Sequence, residues 1–288
     1  MINIKNEVLR AVINPLGAEL CSLVSNNTKL EYIWQADPAY WGKHSPVLFP
    51  VVGTLKSNTY FYKGNRYMLP RHGFAREKVF DVHKPDEATA IFTLCSNADT
   101  IKVYPFQFEL QLIYRLQANA LSLTYRVYNP VTEPMYFSIG GHPAFNVPLT
   151  ANSAYTDYYL QFDATERLVR YHLQDGLLSE ICSEVPADRG RIALNPALFY
   201  EDAIVLKHLQ SHVVELGSTT HQHGLSFDFE GFPYLGIWAA KDAPFVCIEP
   251  WCGHADTVEH NQELTEKPGI EKLGAGECWQ RTWKVSVY

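Results

Sequence analysis

The chain of 288 residues carries a formal net charge of −7, with 47% hydrophobic and only 19% charged residues. This acidic balance excludes a global positive field that would draw nucleic acid, and no stretch of about 18 apolar residues is present to span a membrane. The opening residues lack the unbroken apolar run of a signal peptide, so the chain is expected in the cytoplasm.

Aromatic residues reach 13%, with 17 Tyr and 15 Phe. They favour strands, whose pleated surface suits them, and their rings can stack on the apolar faces of sugars. Period-2 alternation predicts strands at Leu9–Asn14 and 19–24. Residues 60–62 and 66–69 flank Lys63-Gly64-Asn65, which reads as a hairpin turn. A further strand is expected at 90–95. The clearest pattern covers 106–116. Phe106, Phe108, Leu110, Leu112, Tyr114 and Leu116 fall on one face, and Gln107, Glu109, Gln111 and Arg115 on the other. A turn at 117–120 leads into 121–128, completing an antiparallel hairpin. Later strands are expected at 234–239, 245–249 and 282–287. Short helical turns are expected at 37–41 and 196–200, and the polar, Pro-punctuated stretch 261–270 reads as loop. No helical period persists for 12 residues, and no repeat or linker interrupts the chain. The expected architecture is one all-β domain over 1–288, an antiparallel sandwich or barrel.

None of the cysteines (Cys21, Cys95, Cys182, Cys247, Cys252, Cys278) forms a C-x-x-C pair, so reduced thiols are expected. His221-Gln-His223 lacks the nearby Glu of a cupin-type metal site. His254, Asp256 and His260 read as solvated loop residues. Trp34, Trp41, Trp279 and Trp283 read as core or edge packing.

Four segments differ from ordinary strand and turn: Arg71-His-Gly-Phe-Ala-Arg76, Gly140-Gly-His-Pro-Ala-Phe-Asn146, Tyr200-Glu-Asp-Ala203 and Ile248-Glu-Pro-Trp251. Each sets an ionisable residue beside Gly, Pro or an aromatic at the end of an apolar run, where sheet scaffolds present functional groups. Taken singly, His72 and His142 also fit structural roles. Glu249 also fits a salt bridge to a core Arg, because a buried carboxylate is costly unless paired.

Together these segments resemble the aldose 1-epimerase (mutarotase) family, and within it the LacX-like branch. Asn-Pro-Leu-Gly-Ala-Glu-Leu at 14–20, Pro-Val-Leu-Phe-Pro-Val-Val-Gly at 46–53 and the Lys63-Gly64 turn precede His-Gly-Phe-Ala-Arg at 72–76. Gly-His-Pro-Ala-Phe-Asn at 141–146 and Glu-Pro-Trp at 249–251 follow. No single motif is specific; their order and separation are. The resemblance implies a large antiparallel β-sandwich that interconverts the α and β anomers of a free hexose without metal or cofactor. By motif position it implies His142 as general acid and Glu249 as general base. His72 and Asp202 would bind the sugar, with Trp251 beside Glu249 as a further binding residue. The family commonly has an Arg shortly after the position of Gly53. Here the segment is Gly53-Thr-Leu-Lys-Ser-Asn, leaving Lys56, Arg71 or Arg76 to replace it, and Lys is no equivalent of a forked guanidinium.

Opening a hemiacetal needs a base for the C1 hydroxyl proton and an acid for the ring oxygen. Proximity to Glu249 would favour a charged His142, and burial would oppose it. The competing readings are a hexose-6-phosphate mutarotase, with Arg71, Arg76 and Lys56 supplying charge, and a non-catalytic sugar-binding module. A metal-dependent β-barrel enzyme using His221 and His223 is a third. The expected partner is a small-molecule sugar, a hexose or hexose phosphate, with no nucleic acid or membrane, bound by a monomer or homodimer.

Overall fold

The computed structural model describes all 288 residues. Two large antiparallel sheets dominate it. The first has nine strands, ordered Arg191–Ala193, Tyr158–Phe162, Val213–Ser218, Leu225–Asp228, Cys278–Val287, Ala120–Tyr128, Glu109–Gln117, Thr89–Cys95 and Asp81–His83. The second has eight. It runs from Leu177–Glu184 through Val169–Gln174, Ile204–Lys207, Tyr234–Trp238, Phe245–Cys252 and Ile139–Gly141 to Val47–Leu48, with Ala144–Asn146 also paired to Phe245–Cys252. A three-stranded sheet of Ile2–Lys5, Leu9–Asn14 and Glu19–Ser25 precedes both. One contiguous apolar core joins residues of both large sheets, Leu110, Leu112 and Trp283 from one and Val246 and Ile248 from the other. No helix is long and apolar enough to cross a membrane.

The alternation in the central hairpin holds. Leu110, Leu112, Tyr114 and Leu116 are buried, and Ala120 pairs Gln117 across a two-residue loop. The strand begins at Glu109 rather than at 106, because the chain arrives from a short helix, Ala98–Val103. Asn97 caps that helix through the amides of Asp99 and Thr100. Six residues are too few to show a helical period, and the Asn97-x-x-Thr100 spacing was the only sequence signal. Lys63 and Gly64 both have positive φ, 51° and 76°, as the tight turn between Thr59–Tyr62 and Asn65–Met68 requires. Residues 37–41 form turns rather than helix, held by the Asp37 carbonyl, which accepts from the amides of Tyr40 and Trp41.

The strand expected at 245–249 continues to Cys252, through Pro250. Proline has no N–H for a ladder and usually ends a central strand. Here one flank of the strand changes partner. Ala144–Asn146 pairs with residues 245–247 and Ile139–Gly141 with 251–252, so Pro250 falls in the gap between them. The extra residues carry Trp251 onto the same face as Cys247 and Glu249, since side chains alternate along a strand.

Candidate active site

A cavity of about 930 Å³ opens on the eight-stranded sheet. His142 and Glu249 meet within it, Nε2 to Oε2 3.4 Å apart. His142 follows directly on Ile139–Gly141, and its amide donates to the Pro46 carbonyl at 3.1 Å. Its ring stacks on Trp41 with centroids 4.8 Å apart and meets Trp238 edge-on. Glu249 projects from the centre of the sheet and is 2% exposed. Beside it, the Trp251 indole lies over Gly236, where a Cβ would come within 2.4 Å of the ring.

Burial controls the charge of the pair. It lowers the His142 pKa to about 3, assisted by the Arg71 guanidinium. It raises the Glu249 carboxyl well above its ordinary range, with Arg71 pulling the other way. Of the two opposed influences on His142 expected from sequence, desolvation therefore wins. The free site favours a neutral imidazole and a protonated carboxyl, which is one proton for two groups.

His72 comes from the other side of the cavity, its ring centroid 5.8 Å from that of His142. It has φ +68° and is followed by Gly73 at +71°. A Cβ on Gly73 would lie 2.3 Å from the Phe49 carbonyl oxygen, so only glycine fits there. The His72 amide donates to the Gly53 carbonyl, and the Gly53 amide donates back to His72 Nδ1 at 3.1 Å. Burial, and then the neighbouring His142, holds His72 well below the usual histidine pKa. The Arg71 Nε–H donates to Nε2, 3.1 Å away. A neutral imidazole has one acceptor nitrogen, so the Gly53 amide and Arg71 compete for it, and a ligand oxygen that takes either donor relieves the conflict.

Asp202 lies across the cavity, also in the left-handed region at φ +73°. Its Oδ1 accepts from the Ala203 amide at 2.7 Å, and its carbonyl accepts from buried Arg170. His72 and Asp202 are two of the chain's fourteen non-glycine residues with positive φ, and both carry polar groups of this cavity. Arg71 and Arg76 line the same wall, with Arg76 Nη2 donating to the Arg71 carbonyl.

Lys56 is not among the residues brought together here. Its ammonium donates to the carbonyls of Val258 and His260, and its amide to Asp256 Oδ2. This corrects the expectation that it replaces the missing Arg. Loop 254–260 is also not solvated as expected: His254, Asp256 and His260 are 2%, 1% and 8% exposed. Asp256 Oδ1 accepts from the buried Lys267 ammonium at 2.7 Å. That anchorage turns His254 into a cavity-lining residue. His254 donates from Nδ1 to the Ala255 carbonyl, and burial, then Lys267, lowers its pKa to about 4. Trp41 likewise lines the cavity instead of merely packing, while Trp34, Trp279 and Trp283 are buried as expected. The only sequence signal for His254 was its place five residues after Glu249. His221 lies outside the cavity and bonds the Tyr158 hydroxyl at 2.8 Å. All six cysteines are free thiols.

The aldose 1-epimerase family model matches residues 1–270. The chain belongs to the aldose 1-epimerase family. The plasmid LacX protein of Lactococcus lactis is 33% identical over 99% of each chain. A galactose mutarotase related enzyme from Lactobacillus acidophilus superimposes with a TM-score of 0.95 at 36% identity, covering 100% of this chain and 97% of that one. A galactose mutarotase-like protein from Lactobacillus casei gives 0.94 at 33%, covering both chains fully. The fold of this aldose 1-epimerase family member is thus the galactose mutarotase-like β-sandwich. Its largest described feature of chemical interest is a buried imidazole facing a buried carboxyl in a cavity walled by tryptophans and arginines.

Proposed function

We propose that the protein is a cofactor-independent mutarotase that interconverts the anomers of a free hexose, with residues 1–288 acting as one catalytic domain. The observation that carries this reading is the 3.4 Å approach of His142 Nε2 to Glu249 Oε2 inside a cavity large enough for a pyranose. Sugar hydroxyls hydrogen-bonded to Glu249 favour its carboxylate, and the shared proton then resides on His142. Glu249 takes the proton of the C1 hydroxyl while His142 gives its proton to the ring oxygen. The bond from C1 to the ring oxygen breaks and C1 becomes the aldehyde carbon. Rotation about C1–C2 presents the other face, and closure returns both protons. Burial favours the neutral pair, which is the state of the open-chain complex. Acid–base assistance of this kind contributes about 10²–10⁴-fold.

In this reading His72 and Arg71 bind a sugar oxygen, Asp202 accepts from hydroxyls through its free Oδ2, and Trp251 packs against the ring. Arg76 supports Arg71. A hexose 6-phosphate is the second reading, favoured by the Arg71 guanidinium in the cavity wall. Polarimetry tests both. Fresh α-D-glucose, α-D-galactose and glucose 6-phosphate are followed with and without protein. Acceleration abolished by Glu249→Gln and His142→Ala is expected, and the sugar accelerated most ranks the two readings. A folded protein that binds sugar but accelerates none would leave a binding module instead.

A further inference from the structure

Cys247 has no part in ring opening, yet it lies beside the acid–base pair. It sits two residues before Glu249 on the same face of Phe245–Cys252, fully buried. One ligand atom from each of His142, Cys247 and Glu249 lies within 4.8 Å of the other two. Three atoms so spaced fit within about 2.8 Å of a common centre, and small side-chain shifts reach the Zn–S length of about 2.3 Å and the Zn–N and Zn–O lengths of about 2.0–2.2 Å. The 3.4 Å between His142 Nε2 and Glu249 Oε2 is long for a hydrogen bond. It equals the edge of a tetrahedron whose bonds are about 2.0–2.1 Å. Glu249 Oε2 is sealed from solvent and has no hydrogen-bond partner.

We propose that His142, Cys247 and Glu249 form a three-ligand site for a thiophilic divalent cation, Zn²⁺ or Cd²⁺, whose fourth position opens to the cavity and whose occupancy blocks mutarotation. The ligand set is imidazole, thiolate and carboxylate, which suits these cations and not Mg²⁺ or Ca²⁺. Binding is an exchange: the cation takes the place of the thiol proton and of the carboxyl proton where Glu249 carries one, and the protons leave to solvent. Occupancy therefore strengthens as pH rises. The cation occupies both groups needed for proton transfer, so it competes with sugar. The site does not depend on the mutarotase reading; only its inhibitory effect does.

A second cluster, Glu19, Cys21 and His44, is similarly spaced. Its Glu19 Oε1 already accepts from the amides of His44 and Ser45, at 2.7 and 3.1 Å. It provides the control. Cadmium is titrated into the whole protein and followed by the ultraviolet thiolate-to-cadmium charge-transfer band, in wild type, Cys247→Ala and Cys21→Ala. Zinc inhibition of mutarotation is measured in parallel, with Cys247→Ser as a second variant should Cys247→Ala fold poorly. One equivalent of the band is expected to vanish in Cys247→Ala and to persist in Cys21→Ala. Zinc inhibition is expected to be competitive with sugar. Its inhibition constant should rise at least about tenfold in Cys247→Ala, with the zinc-free rate retained. An unchanged cadmium band, or undiminished zinc sensitivity, in folded Cys247 variants would overturn the proposal. Loss of the band in a protein that accelerates no sugar would keep the cation site and overturn the mutarotase reading alone.

Discussion

His142 Nε2 and Glu249 Oε2 face each other across 3.4 Å, both side chains buried, with desolvation disfavouring the charge of each. Two groups that share one proton act as a unit, so their contributions to rate are not additive. Glu249→Gln is expected to keep the fold, because it substitutes a neutral isostere for a carboxyl that burial already neutralises. Its kcat should fall about 10²–10⁴-fold. His142→Asn should fall similarly, and the double variant no more than a few-fold below the slower single. Polarimetric kcat values with a thermal melt for each variant check this. A double variant slower by the product of the two losses would mean the groups act independently.

The same proton count sets a stability profile. At pH 5.5 the pair holds one proton in the folded protein, whichever residue carries it. It also holds about one unfolded, on the histidine, so it contributes no slope. His72 and His254 are held neutral by burial, whereas unfolded they take up protons below their ordinary value of about 6.5. From these two residues the unfolded state binds two more protons, so their contribution to stability falls as pH drops through that range, by about 3 kcal/mol per pH unit at its steepest. Above about 6.5 these two histidines are neutral in both states. Their contribution is then complete, so the stability they govern rises from pH 5 and levels off above about pH 6.5. Urea unfolding at half-unit steps from pH 5 to 8 checks it; a plateau across the range would contradict the buried neutral histidines.

Lys267 and Asp256 are each about 1% exposed and 2.7 Å apart, behind the loop that carries His254. Removing one partner leaves the other charge buried without compensation. Asp256→Asn and Lys267→Met are each expected to cost about 3–5 kcal/mol in urea unfolding. Asp256 also accepts from the Lys56 amide, so Asp256→Asn should be the more damaging to loop order. A loss below about 1 kcal/mol in both would show that the pair is hydrated.

Much of this arrangement was legible in the sequence. The run from Phe106 to Leu116 declares its buried face, because half-buried strands must alternate. Glu249 stood out as a carboxyl closing an apolar strand, and the cavity holds it with His142, His72 and Asp202. What the sequence hid depends on long-range contacts. His254 follows Gly253 in a polar stretch, and nothing local reveals that Lys267, eleven residues beyond Asp256, buries the loop. Trp41 lies in a short turn, and its stacking on His142 joins segments a hundred residues apart. Lys56 occupies the place where a cation is expected, and only the geometry of the Val258 and His260 carbonyls shows that it is already engaged. Short strands such as Ile139–Gly141 are too brief to show a period, although they set the position of His142.

Gly73 offers the sharpest link between backbone and site. It has φ +71°, and an added Cβ would meet the Phe49 carbonyl oxygen at 2.3 Å. Gly64 has nearly the same φ, +76°, but open space around its Cβ position. Alanine at Gly64 is expected to cost about 1–2 kcal/mol, the penalty of left-handed backbone alone, with unchanged mutarotation. At Gly73 the same penalty adds to a clash with main chain that has no side chain to rotate away. Gly73→Ala should therefore cost more than Gly64→Ala by at least about 1 kcal/mol. Its relief must move His72, the adjacent residue, off the Gly53 amide. A raised KM for sugar is then expected in Gly73→Ala, with kcat less affected, because in the proposed mechanism His72 binds the sugar while His142 and Glu249 transfer protons. Equal stability of the two variants, or a kcat loss without a KM change at position 73, would show that His72 is not held in place by this turn.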